Sequence, residues 1–139
     1  MMKKIFCLLL LTVTFQLAAQ EEGKGTIELK ITNIDNDEGQ MLIALYDAKD
    51  NWLKKYYKGT FAKIENGTSS VSFTGIPDGT YAISCFHDED NDGELDSFLG
   101  IPSEDTGASN NAPARMGPPK WEDAKFELQG KSIKHSIKL

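Results

Sequence analysis

Residues 26–32 are TIELKIT, and apolar and polar side chains alternate through them without a break. Ile27, Leu29 and Ile31 fall on one face, and Thr26, Glu28, Lys30 and Thr32 on the other. A period of two marks a strand with one buried face. Working outward, 70–74 (SVSFT) turns Val71 and Phe73 inward. Residues 124–128 (AKFEL) and 132–139 (SIKHSIKL) offer Ala124, Phe126, Leu128, Ile133, Ile137 and Leu139 as an inner set. Two runs, 41–46 (MLIALY) and 80–87 (TYAISCFH), are apolar on both faces and predict central strands. A seventh, poorly patterned strand is expected over 58–65 (KGTFAKIE). Turn chemistry separates the runs: NDEG at 36–39, ENG at 65–67 and PDG at 77–79, the last expected to open a hairpin. A helical turn is expected over 50–56, with Asp50 as its cap. Seven short strands with frequent turns predict an all-β fold, an antiparallel β-sandwich of immunoglobulin-like or transthyretin-like type.

The start, MMKKIFCLLLLTVTFQLAAQ, has the three parts of a secretory signal peptide. Lys3 and Lys4 supply the positive region, Ile5 to Leu17 the apolar core, and Ala18-Ala19 small residues for cleavage before Gln20. The apolar run falls short of the roughly 20 residues a membrane-spanning helix needs. Residues 1–19 are therefore expected to be a signal peptide and 20–139 a single domain, exported to the periplasm or the cell exterior. Cys7 lies too early in the leader to be a lipoprotein's acylated cysteine. Processing leaves 120 residues, 13 bases, 21 acids and one cysteine, Cys85. One cysteine forms no internal disulfide, so core packing or a bound ligand must hold the domain.

The whole chain carries a formal charge of −6, and the mature chain −8. That balance argues against nucleic-acid binding, which needs a cationic surface. Six of the acids stand in nine residues, 88–96, with no base among them. The loop 87–96, HDEDNDGELD, places Asp88, Asp90 and Asp92 at positions 1, 3 and 5 of a calcium loop and Gly93 at position 6. Alternate side chains converge on a hard cation there, while the glycine permits the turn that brings position 7 round. Glu94 at position 7 would ligate through its carbonyl, and Asp96 at position 9 directly or through water. Leu99 stands where an EF-hand has its bidentate glutamate, so Glu104 or Asp105 is a candidate for the missing carboxylate. The expected metal residues are thus Asp88, Asp90, Asp92, Glu94 and Asp96, and the expected ion is Ca2+. The competing reading is a solvated acidic turn. The stretch after it, 97–120, carries no periodicity and is expected to be one long loop, which an ion would order.

No catalytic residue is expected. Cys85 and His87 share a strand face, but such neighbours stand about 7 Å apart, too far for a nucleophile and base. His87 is expected to pin the start of the acidic loop by hydrogen bonding, and His135 to sit at the core edge. Trp52, Tyr56, Tyr57 and Trp121 are expected to cap the sandwich, with sugar or protein contact as the alternative. The function expected is a non-enzymatic module with an unidentified protein or glycan partner. The alternatives are a glycan-acting hydrolase using a carboxylate pair, or a purely structural ion.

The strand and loop DGTYAISCFHDEDNDGELD (78–96), with LGIP at 99–102, SED at 103–105, TGASNN at 106–111 and GPPKWEDAKFEL at 117–128, resemble a known family. It is the uncharacterised group of exported, Bacteroidetes-type bacterial proteins termed domain of unknown function 2141. The resemblance spans residues 25–139. One departure is Ala108, where such proteins often carry an aromatic. The resemblance implies a small secreted β-sandwich and brings no activity with it.

Overall fold

The computed structural model describes residues 23–94, 97–98, 101–102 and 104–139; the expected leader, Asp96 and Leu99 lie outside the described residues. The strands are β1 (Lys24–Thr32), β2 (Gln40–Tyr46), β3 (Lys58–Ala62), β4 (Ser69–Pro77), β5 (Gly79–Asp88), β6 (Ser97–Phe98), β7 (Ile101–Pro102), β8 (Thr106–Ala108), β9 (Phe126–Leu128) and β10 (Ile133–Lys138). One sheet has the order β10-β1-β4 and the other β3-β2-β5-β8, with β9 also paired to β5. The strands expected from alternation all form, and the result is an all-β sandwich.

Its core follows from the periodicity. Ile27, Leu29, Ile31, Phe73, Ile76 and Ile137 of the first sheet pack against Met41, Ile43, Leu45, Tyr81, Ile83, Cys85 and Leu128 of the second. The second sheet is covered on its outer face too, which explains why MLIALY and TYAISCFH lack a polar side. Tyr46 and Ala82 meet Ala108, Ala124, Trp52 and Trp121 there. Trp52 packs edge-on against both Tyr46 and Trp121 and donates its indole N–H to the Pro119 carbonyl, 2.8 Å away. These two tryptophans therefore cap the sheet, whereas Tyr56 and Tyr57 stay exposed.

Several expectations are corrected. The pairing is not antiparallel throughout: β10 runs parallel to β1, with Ile27 opposite Ile133 and Ile31 opposite Ile137. The PDG turn opens no hairpin, because β4 pairs with β1 and β5 with β2. The chain crosses there from one sheet to the other, and buried Tyr81 secures the corner by donating its hydroxyl to the Pro77 carbonyl at 2.6 Å. The helical turn is a 3-10 turn at Lys49–Asn51 with no side-chain cap, so Asp50 does not cap it. Nor is 97–120 one structureless loop. Thr106–Ala108 pairs antiparallel with Ser84–Phe86, and the fully buried Ser109 follows. Ser109 Oγ accepts from the Ile83 N–H at 2.9 Å and donates to the Ala124 carbonyl at 2.6 Å. Protein contacts hold residues 106–109 of that stretch.

Candidate metal centre

β5 delivers the acidic loop. Asp88 is its last residue and is fully buried, opposite Gln40 at the start of β2. Beyond it the backbone turns back on the carboxylate. Gly93 N–H donates to Asp88 Oδ2 at 3.0 Å and Asp92 N–H to Asp88 Oδ1 at 3.2 Å, while the Gln40 amide donates to Oδ2 at 3.0 Å. Asn91 and Gly93 take positive φ, 55° and 75°, the second being the glycine the spacing singled out. Asp92 turns to accept the Glu94 N–H at 2.9 Å. Short acidic side chains bonding backbone donors two residues on are what make so charged a segment turn at all.

The carboxylate that comes up beside them is Glu104. Its Oε2 accepts the Glu89 N–H at 2.9 Å, and it is 8% exposed. Asp88, Asp90 and Glu104 each bring an oxygen within 4.8 Å of the others. Ligands 2.3–2.6 Å from one calcium ion stand up to about 5 Å apart across it, so the three fit a single shell. Two of them are buried and Asp90 is exposed. Among the expected ligands, Asp88 and Asp90 are thus brought together, with Glu104 added from far along the chain. Asp92 and Glu94 follow in the same turn but are not in the triad.

Electrostatics bear the marks of crowding. Burial acts to raise the Asp88 pKa, but hydrogen bonds from Gln40 and Gly93 outweigh it and hold the carboxyl below its ordinary value. Asp92 moves the other way. The Glu94 N–H works to lower it, yet desolvation and the neighbouring Asp90 and Asp88 leave it raised. A cation would favour both carboxylates.

The support around the loop was not legible in the motif. Gly39 (φ 69°) lies so close that a Cβ there would stand 1.9 Å from the Asp88 carbonyl oxygen. His87 reaches the Glu38 carbonyl with Nε2 at 2.6 Å, and its backbone N–H donates to the Asp105 carbonyl at 2.9 Å. The expectation that His87 pins the loop therefore acquires its partners. Burial pushes the Cys85 thiol up to about 12, so it carries no nucleophilic thiolate at neutral pH. His135 is half-buried against the Phe126 ring, 4.0 Å between centroids, and that desolvation lowers its pKa.

A family model described as an uncharacterized protein conserved in bacteria, domain of unknown function 2141, matches residues 29–136. No curated protein and no solved structure matches the chain. No helix among the described residues is long and apolar enough to cross a membrane.

Proposed function

Since the chain belongs to this bacterial family, whose description names no activity, we propose a function from the site itself: an exported β-sandwich module that binds calcium. Asp88, Asp90 and Glu104 form the nucleus of the shell, and Asp92 and the Glu94 carbonyl follow in the same turn to complete it, with Asp96 as the ligand the motif's position 9 calls for. The ion fastens the loop leaving β5 to the segment entering β8, shaping an envelope-facing surface for a protein or glycan partner. No catalysis is invoked.

The observation that carries this reading is Glu104, an acid sixteen residues from Asp88 whose oxygen joins those of Asp88 and Asp90 within 4.8 Å. A hydrolase pair instead brackets a bond with its carboxyls about 5–9 Å apart, and convergence on one point favours a cation.

Calorimetric titration of the mature domain should show about one calcium bound. A hundredfold excess over Kd should add about 2.7 kcal/mol of stability and raise Tm on the order of 10 °C. Glu104→Gln should lower the affinity at least tenfold. Absence of both heat and thermal shift at millimolar calcium would sink the reading. Export rests on the composition of residues 1–19. It predicts a mature N-terminus at or within two residues of Gln20 in protein recovered from the cell envelope or medium, as N-terminal sequencing would show. An unprocessed Met1 in the cell interior would refute it.

A further inference from the structure

Residues 51–64, NWLKKYYKGTFAKI, hold four lysines and no acid. They stand in a mature chain of net −8, so everything else carries −12. Among the described residues no carboxylate pairs with Lys54, Lys55 or Lys58, and Lys58 places its Nζ 5.7 Å over the Tyr57 ring. The same segment supplies four of the five large apolar side chains exposed among the described residues: Leu53, Tyr56, Tyr57 and Phe61. Lysines on an edge strand are an ordinary guard against edge-to-edge pairing. That guard has no use for exposed rings, which add apolar surface to the edge it should blunt.

The Tyr56 ring is held in place by the strand. β3 is the edge of its sheet, and Gly59 and Phe61 lie on its outer face, opposite Ala44 and Leu42 of β2. A Cβ on Gly59 would stand 3.0, 3.3 and 3.4 Å from three consecutive carbons of the Tyr56 ring. Distances so nearly equal mean that the ring lies face-on against the strand, in the space a side chain at 59 would take. Its other face is open: Tyr56 is 60% exposed, as is Phe61 two positions beyond Gly59. The turn that delivers the ring is tied at several points. Trp52 bonds the Pro119 carbonyl, the Lys54 and Lys55 N–H groups both donate to the Asn51 carbonyl at 2.9 Å, and the Tyr57 N–H donates to the Leu45 carbonyl at 2.8 Å. Between them Leu53 takes a φ of 58°, which bulky side chains avoid. Strain of this kind gathers where a binding surface is fixed in advance.

We propose that Tyr56 and Phe61 form a stacking platform for an acidic polysaccharide, whose anionic groups are met by Lys54, Lys55 and Lys58. The apolar C–H face of a sugar ring suits an open aromatic face, and lysine supplies compact positive charge to a carboxylate or sulfate. A membrane surface fits less well, because a ring lying flat on its strand does not project to insert. A nucleic acid fits less well too, since its dense phosphates would meet the negative charge of the rest of the molecule. β3 and β8 are the opposite edges of one sheet, so the platform goes beyond the calcium reading and does not rest on it.

The test is affinity electrophoresis of the mature domain, in EDTA, through gels holding polygalacturonate, dextran sulfate or neutral dextran. An acidic gel should retard the domain and the neutral gel should not, and the two acidic arms separate carboxylate from sulfate as the anion recognised. Tyr56→Leu, which keeps an apolar cover over Gly59, should weaken binding at least tenfold, and Tyr56→Phe should preserve it. Phe61→Ala should weaken it as well. Lys54→Gln combined with Lys55→Gln should lower the affinity and flatten its salt dependence. All these positions are exposed, and an unchanged Tm verifies the fold of each variant. No retardation in either acidic gel, equal retardation in neutral dextran, or Tyr56→Leu binding like wild type would each overturn the proposal. So would tighter Tyr56-dependent binding to single-stranded DNA or to phosphatidylglycerol vesicles. Retardation in dextran sulfate should be the same with calcium as without it, so this result stands or falls apart from the calorimetric titration.

Discussion

Gly39→Ala should cost the domain about 3 kcal/mol of stability and most of its calcium affinity. The new Cβ would lie 1.9 Å from the Asp88 carbonyl oxygen and 2.8 Å from both the Asp88 carbonyl carbon and the Glu89 Cα. These are backbone atoms, with no rotamer to yield, so the end of β5 must move away from β2. Added to this is a φ of 69°, which costs a residue bearing a Cβ about 1–2 kcal/mol. The displaced segment carries Asp88, so the shift reaches the metal site directly. Gly75→Ala separates the two effects: φ there is 65°, but nothing lies within 4 Å of its Cβ. Urea denaturation should show Gly75→Ala losing only the conformational part, about 1–2 kcal/mol, with calcium binding intact. Equal losses in the two variants would mean that the approach of Gly39 to Asp88 has no energetic weight.

Asp88→Ala should destabilise the domain by about 3 kcal/mol even without a cation. Gln40, Gly93 and Asp92 would each lose an acceptor in a part-buried setting. Asp90→Asn should abolish calcium binding with little change in metal-free stability, since Asp90 is exposed. If the ion is purely structural, this variant will lose calcium-dependent stability and nothing else. The Asp88 share also has a pH signature. Its folded carboxyl titrates below the ordinary value, so its stabilisation is present in full above about pH 4, the unfolded carboxylate range. It is lost as pH falls through the lower folded value. The gap in urea midpoint between wild type and Asp88→Ala should therefore hold from neutrality to about pH 4 and close below it. A gap that persists at pH 2 would show that the carboxylate's charge is not what the loop depends on.

Alternation made most of the sandwich visible beforehand, because a strand with one buried face writes its orientation into every second residue. Ile27, Leu29 and Ile31 did so in β1, and Ile137 in β10. Non-local pairing leaves no such trace. Nothing within SIKHSIKL distinguishes a parallel from an antiparallel neighbour, and PDG suits a crossing between sheets as well as a hairpin. The short β8 was hidden because its three residues, Thr106–Ala108, bring a single buried apolar side chain, Ala108, too little for a period of two to register. The same division holds at the site. The spacing of Asp88, Asp90, Asp92 and Gly93 encodes a local turn and was legible. Glu104 was one of two candidates, because the pairing of 87–89 with 104–105 decides between it and Asp105. Gly39 acts only through its proximity to another strand, and the His87 ring is held by the Glu38 carbonyl from across the sheet. Neither leaves a mark in the linear sequence.

The parallel seam between β1 and β10 also orders events in time. β1 meets β4 across a separation of about 40 residues, but meets β10 across more than a hundred. The entropy of closing so large a loop is recovered only when Ile137 finally enters the core, which makes docking of β10 the natural last step of folding. Until then one edge of β1 is open, and the other sheet, with the acidic turn at the end of β5, is built from strands that already have their partners. Folding kinetics should accordingly show the Asp88 region protected from hydrogen exchange before β10.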